Sequence, residues 1–138
     1  GMVVGFLPPN SGNHNDLYEL EPAWERQIAD WKESGISVDG LFLNADAGFD
    51  SKSFRTTCFR HGIQLNAPIN SRNANYVTEY DTWFDEEMYQ ERYVIERTNA
   101  WMDAWRSLLN RFDKTMVNWK AWHYIFAICS WSKYLSKV

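Results

Sequence analysis

Two short apolar segments, separated by one short helical segment, constrain the fold of this chain more than any other feature. Residues 38–45 include the run Gly-Leu-Phe-Leu, and residues 63–69 form a second apolar segment. The near-continuous run in residues 38–45 is typical of a strand that is buried on both faces, as in a parallel sheet, and residues 63–69 are predicted to form a second strand. Between them, Asp50 or Ser51 is placed to cap a helix that ends near Gly62. The pattern therefore predicts a β-α-β unit.

Further elements are predicted on both sides of this unit. Residues 2–7 are apolar and are followed by a Pro-Pro pair, which favours another strand. A helix with its N-cap at Asp16 is predicted to run to about residue 34. The pattern is strongly helical over residues 84–112. A last helix over residues 116–135 is apolar almost all round in its middle, so we expect it to be buried.

Length and composition indicate a single globular domain over residues 1–138. The chain is 45% apolar and 23% charged, which is typical of globular proteins. Gly1 is interpreted as a tag remnant before Met2. Cys58 and Cys129 lack metal-ligand spacing, which favours reduced thiols in a cytoplasmic protein. The apolar part of the last helix is too short and too interrupted to span a membrane, so no membrane association is expected.

The charge of the chain is unevenly distributed. The net charge is −4, which at first argues against nucleic acid as a partner. Residues 1–50 hold nine acids and two bases, a charge of −7, whereas residues 51–138 hold nine acids and twelve bases, a charge of +3. The second half of the chain could therefore contact phosphates, although surfaces often segregate charge without such a role.

Asp46 is the first candidate functional residue, because it comes directly after the buried strand of residues 38–45. In open α/β sheets, ligands bind beyond the carboxyl ends of the strands. A carboxylate at this place is well suited to hold a hard cation such as Mg²⁺. The alternative interpretation is that Asp46 only caps a turn that contains Gly48.

A polar stripe on the predicted long helix contains the second candidate, Glu96. The stripe consists of Tyr89, Arg92, Glu96, Asn99, Asp103, Arg106 and Asn110. Their three- and four-residue steps predict that they share one helix face. Arginine beside a carboxylate suits phosphate recognition. The alternative is an ordinary solvated face, with Arg92 and Glu96 as an i,i+4 ion pair.

These two segments resemble bacterial insertion-sequence transposases of the DDE class. The run Asp-Ala-Gly-Phe-Asp-Ser at residues 46–51 resembles the block around the second catalytic aspartate of that family. The pattern Tyr-x-x-Arg-x-x-x-Glu-Arg at residues 89–97 resembles the block around its final glutamate. By this resemblance the chain is the C-terminal part of a transposase catalytic core.

The resemblance implies an α/β protein with an incomplete ribonuclease-H-like fold. Its expected parts are a small sheet of about three strands, helices packed on it, and a long C-terminal helical pair. Asp46 and Glu96 are expected to be catalytic and to bind magnesium or manganese. The residues expected to bind the DNA of the transposon ends are Tyr89, Arg92, Arg97 and Arg106.

Two departures from the family pattern affect the expected activity. Asp103 stands where many relatives carry a lysine that contacts DNA. The first catalytic aspartate belongs on a strand upstream of this chain, and Asp16, in a turn that opens a helix, is not expected to replace it. The isolated chain is therefore expected to be inactive.

Without that first strand, two sheet edges would be exposed, which predicts either that they pair directly or that a homodimer covers them. One alternative function is that of a non-catalytic, truncated remnant that binds DNA or a full-length transposase. Another is a fragment that folds but has no selected function.

Overall fold

The computed structural model of the protein describes residues 2–9, 13–15, 17–72 and 83–136. The chain divides into two compact units: an α/β unit, Leu7–Arg92, and a helical unit, Gly1–Phe6 with Tyr93–Val138. The elements in chain order are α1 (Leu20–Glu33), β1 (Phe42–Asn44), α2 (Lys52–Arg60), β2 (Gln64–Asn66), α3 (Glu86–Gln90), α4 (Tyr93–Asp103), α5 (Arg106–Leu109) and α6 (Met116–Leu135).

Helix α1 supplies one wall of the core of the α/β unit. Its buried large side chains recur at four-residue steps along one face: Leu20, Trp24 and Ile28. The helix begins only at Leu20 because Glu19 has a φ of 52°, which a right-handed helix does not allow. It ends at Glu33, close to the predicted end, before Gly35 with a φ of +77°. The predicted cap, Asp16, lies outside the described residues.

Strands β1 and β2 pair in parallel and are connected by α2, so the predicted β-α-β unit is confirmed. The paired residues are Phe42 with Gln64, Leu43 with Leu65, and Asn44 with Asn66. Ser51 caps α2, since its hydroxyl accepts a hydrogen bond from the Phe54 N–H at 3.1 Å. Gly62 follows α2 with a φ of +70°, and a Cβ there would lie 2.1 Å from Asp39 Oδ1, which favours glycine.

A buried cluster joins α1 to the β-α-β unit. Its members are Leu20, Trp24, Ile28, Val38, Phe54, Cys58, Ile63, Leu65 and Ala67. The rings of Trp24 and Phe54 meet edge to face, with centroids 5.8 Å apart. Burial of each large apolar side chain stabilises the fold by about 1.5–3 kcal/mol. Burial also raises the pKa of the Cys58 thiol to about 12, although nearby Arg55 acts in the opposite direction. Cys58 is therefore a neutral core residue.

The sheet has two strands in the described residues, so the prediction of three strands is wrong for this part of the chain. Residues 2–9 contain no strand. Instead, the Val3 carbonyl accepts a hydrogen bond from Trp131 Nε1 at 2.7 Å, and Phe6 packs edge-on against His123 at 5.5 Å. Val3 and Phe6, which the sequence analysis placed in a strand, therefore contact side chains of α6 instead.

The long helix predicted over residues 84–112 is divided into α3, α4 and α5. A turn at residues 91–92 follows α3, and Trp105 has an extended backbone with φ −91° and ψ 105° before α5. The break at Trp105 accompanies an edge-on contact of its ring with Phe126, with centroids 5.6 Å apart. The helix that the sequence predicts as continuous is thus interrupted at Trp105, where the ring makes a tertiary contact with Phe126.

Helix α6 has the bounds that the sequence predicts, but it is not buried all round. Thr115 caps its first turn. Phe126 is 2% exposed, whereas Val117 is 77% and Ile128 is 63% exposed. The described part of α6 therefore presents an extended apolar surface. Across the residues that the structure describes, no helix is both long enough and apolar enough to cross a membrane.

Candidate active site

Asp46 lies two residues beyond the end of β1, where the sequence analysis places it. Its backbone is extended, with φ −69° and ψ 159°, and it precedes a single 3-10 turn, Ala47–Phe49. The side chain makes no capping hydrogen bond to this turn and is 55% exposed. Its carboxylate is therefore accessible to ligands beyond the carboxyl end of the parallel strand, as expected for a functional residue in an open α/β sheet.

Two of the predicted DNA-binding residues lie beside this carboxylate. Arg92 Nη1 donates a hydrogen bond to Asp46 Oδ1 and forms an ion pair with it. The Tyr89 hydroxyl lies 3.5 Å from the same oxygen, which is at the limit of a hydrogen bond. The Arg92 guanidinium also lies over the Tyr89 ring, 5.5 Å from its centroid. Tyr89 and Arg92 lie 43 and 46 positions after Asp46 in the sequence, and the fold brings the three residues together in one cluster.

A pair of asparagines holds the segment that carries Tyr89 and Arg92. Asn44 and Asn66 are the last residues of β1 and β2, and Asn66 Nδ2 donates to Asn44 Oδ1 at 2.8 Å. Asn66 also exchanges two hydrogen bonds with the backbone of Asp85, each at 2.8 Å. Asn44 Nδ2 donates to the Met88 carbonyl at 2.8 Å. These contacts fasten the first turn of α3 to the ends of both strands.

Sequence reasoning did not single out these asparagines. The available signal was one asparagine within each predicted strand, at Asn44 and Asn66. Asp85, the partner of Asn66, is 19 residues away from it, and Met88, the partner of Asn44, is 44 residues away from it. Local patterns do not report contacts over such separations.

Asp50 belongs to the same acidic segment as Asp46 but has a structural role. Its side chain is 0% exposed and accepts hydrogen bonds from Arg55 Nε at 2.6 Å and from the Asn70 N–H at 2.7 Å. Arg55 Nη2 also donates to the Ala67 carbonyl at 3.0 Å. This buried ion pair ties α2 to the segment after β2.

Glu96, the second predicted metal ligand, lies in α4 and is exposed. It belongs to the helical unit, whereas Asp46 belongs to the α/β unit. The convergence of the two carboxylates on one cation therefore stays a prediction. The seven-residue stripe predicted for one helix does not have the expected form, because its members are distributed over α3, α4, α5 and their connections.

The other two predicted DNA-binding arginines lie in the helical unit and contact aromatic rings. The guanidinium of Arg97 lies 5.4 Å from the Trp101 ring centroid, and that of Arg106 lies 5.6 Å from the Phe112 ring centroid. Arg97 also lines a cavity of about 690 Å³ together with Trp101 and Lys133. These arginines combine positive charge with aromatic surface, which suits contacts with nucleic acid but also occurs in ordinary packing.

The donor set only partly fits a divalent metal. Carboxylate oxygens are the ligands that Mg²⁺ prefers, and both recorded hydrogen bonds to the Asp46 carboxylate are accepted by Oδ1. Asp46 therefore fits as one ligand, although the Arg92 guanidinium competes for its charge. Within the described ranges, no three His, Cys, Asp or Glu side chains are grouped so that they could hold a metal ion.

The family model described as Transposase DDE domain matches residues 1–131. The matched range contains Asp46, Tyr89, Arg92 and Glu96. Searches of curated proteins and of solved structures each found no match.

Proposed function

The chain belongs to the transposase DDE domain family, and on this premise we propose that it supplies part of a site for metal-dependent phosphoryl transfer at transposon DNA ends. The observation that carries the proposal is the cluster beyond β1, where Asp46 meets Arg92 and Tyr89. A carboxylate beside a guanidinium combines a cation ligand with a group that binds phosphate.

In this proposal, Asp46 and Glu96 are catalytic residues that hold Mg²⁺ or Mn²⁺. Asp46 and Glu96 would hold the metal, and paired divalent ions would supply activation of a water or a 3′-hydroxyl group and stabilisation of the leaving oxygen. The exposed carboxylate of Asp46 supports the first assignment, and the position of Glu96 on an exposed face of α4 supports the second.

The proposed DNA contacts come from four side chains: Tyr89, Arg92, Arg97 and Arg106. Arg92 would have a double role, because its guanidinium pairs with Asp46 and would be available to a phosphate if a cation took its place there.

We further propose that β1, α2 and β2 form part of a ribonuclease-H-like fold and that a third carboxylate is needed for activity. Asp46 and Glu96 are the two carboxylates assigned to the metal here, so the 138-residue polypeptide alone is expected to be inactive. The proposed place of action is the bacterial cytoplasm, where transposon DNA is present.

A homodimer is proposed on two observations. The two-stranded sheet of the described residues pairs each strand on one side only. Helix α6 exposes large apolar side chains, which include Val117 and Ile128. The same surfaces favour the second candidate function, a non-catalytic chain that binds DNA or a full-length transposase.

Titration with Mn²⁺ tests the shared metal site. Paramagnetic broadening of amide resonances is expected around Asp46 and Glu96 together, and it should disappear in Asp46→Asn. Gln64→Ala, at an exposed position of β2, serves as a control that leaves the broadening unchanged. Broadening at Asp46 that leaves Glu96 unaffected would contradict the shared site.

Cleavage of DNA that carries transposon ends separates the two candidate functions. The chain alone should show no Mg²⁺-dependent cleavage, and addition of a polypeptide that carries the first catalytic strand should restore it. Restored cleavage that Asp46→Asn abolishes supports the enzyme. Salt-dependent binding to duplex DNA or to a full-length transposase, with no cleavage in either case, supports the non-catalytic alternative.

A further inference from the structure

Asn44 and Asn66 stand at matching positions, because they form the last residue pair of the two parallel strands. Asn66 is 0% exposed, yet it is a polar residue in a largely apolar core. A buried amide is stable only when its hydrogen-bonding groups find partners. In this structure, both its donor and its acceptor groups are used, and they point toward the segment that leads into α3.

The hydrogen bonds form a continuous path from the sheet to the helix. Asn66 holds the backbone of Asp85 on both its N–H and its C=O group, and Asp85 Oδ1 in turn caps α3 by accepting from the Met88 N–H at 2.9 Å. Asn44 holds the Met88 carbonyl. Tyr89 and Arg92 follow within four residues, so the orientation of this first turn sets where their side chains lie.

We infer that Asn44 and Asn66, here called the amide pair, are positioning residues that hold Tyr89 and Arg92 against Asp46. A helix of five residues such as α3 is too short to be stable without tertiary contacts. Without the amide pair, the first turn of α3 would separate from the strand ends, and the Arg92 guanidinium would leave the Asp46 carboxylate. The catalytic meaning of this cluster rests on the proposed function, but the positioning itself does not.

Side-chain NMR of the ¹⁵N-labelled 138-residue chain tests this inference. The Arg92 guanidinium resonance is assigned by its loss in Arg92→Lys. In Asn44→Ala, we expect this resonance to move to its position in Asp46→Asn, and we expect hydrogen exchange of the Asp85 and Met88 amides to accelerate at least about tenfold, as is usual when local structure opens. Gln64→Ala, on the exposed side of β2, should change neither signal.

Two outcomes would overturn the inference. One is an Asn44→Ala chain with a lower melting temperature but with the Arg92 resonance and the exchange rates of the parent, since the asparagine would then only stabilise the fold. The other is a folded Asn66→Leu chain with unchanged signals. Because Asn66 is fully buried, that variant risks unfolding, and the partly exposed Asn44 decides the question in that case.

The measurement is independent of DNA and of metal. If the resonance moves as expected but neither the parent chain nor any variant binds DNA, the proposed function fails and the positioning role stands. If DNA binding is lost in Arg92→Ala but is unaffected in Asn44→Ala, and the Arg92 resonance of Asn44→Ala has not moved, the proposed DNA contact stands and the positioning role fails.

Discussion

Replacement of Asp50 by alanine is expected to destabilise the chain strongly, whereas Asp46, four residues earlier in the same acidic segment, should tolerate replacement. The Asp50 side chain is 0% exposed, and its partner Arg55 is 15% exposed. Without Asp50, the guanidinium stays buried without its counter-ion, and the Asn70 N–H loses its acceptor. The segment thus combines a structural acid, Asp50, with a proposed functional one, Asp46.

The structure allows the two effects to be compared in magnitude. Removal of one partner of a buried ion pair costs about 3–5 kcal/mol in the free energy of unfolding. The pair of Asp46 with Arg92 has side chains that are 55% and 29% exposed, and such pairs contribute only about 0–1 kcal/mol. The two variants should therefore differ by at least about 2 kcal/mol.

Urea unfolding at pH 7, followed by tryptophan fluorescence, measures this difference. Arg60→Ala is a matched control, because it removes an ion pair with Glu25 whose side chains are 61% and 38% exposed. This control should remain within about 1 kcal/mol of the parent. The reasoning would be refuted by an Asp50→Ala chain as stable as the control, or by an Asp46→Ala chain that is less stable than Asp50→Ala.

Four further predictions follow from the core and the site. At pH 8 a thiol reagent should label Cys129 in the native chain and Cys58 only on unfolding, because burial raises the pKa of Cys58 to about 12. The contribution of the buried Cys58 thiol to the free energy of unfolding is complete below pH 9.0 and should be lost as the pH rises toward 12. When unfolding is measured over this pH range, Cys58→Ala should lose less stability than the parent chain. Gly62→Ala should lower the free energy of unfolding by more than about 1 kcal/mol, because φ is +70° and the new Cβ would meet Asp39. Urea unfolding measures this change, and an unchanged midpoint would contradict the prediction. Arg92→Ala should weaken DNA binding and reduce its salt dependence by about one phosphate contact, which a salt titration measures; an unchanged slope would exclude the contact.

Local patterns predicted the β-α-β unit, the end of α1 and the bounds of α6, because caps, glycines and apolar spacing act within a few residues. They failed where distant contacts decide the structure. Val3 and Phe6, in the run predicted to form a strand, contact side chains of α6 instead. The helix predicted over residues 84–112 is broken at Trp105, where its ring meets Phe126. Neither contact is visible in a window of neighbouring residues.

The candidate site shows the same division. The position of Asp46 after a predicted strand and the spacing of Tyr89 and Arg92 were visible in the sequence, and the structure brings these three residues together. The asparagines at the strand ends were not visible as a pair, because their proximity depends on the parallel register of β1 and β2. The relation of Glu96 to Asp46 stays a prediction.

The groups that join the strand ends to α3 through Asn44 and Asn66 are uncharged amides. An amide neither gains nor loses a proton over the pH range in which proteins are folded, and it is a weaker ligand for a hard cation than a carboxylate. The two amide links should accordingly persist when acidity or ionic strength changes. Any response of the cluster to divalent ions would then arise at the Asp46 carboxylate and not at the amides that join the strand ends to α3.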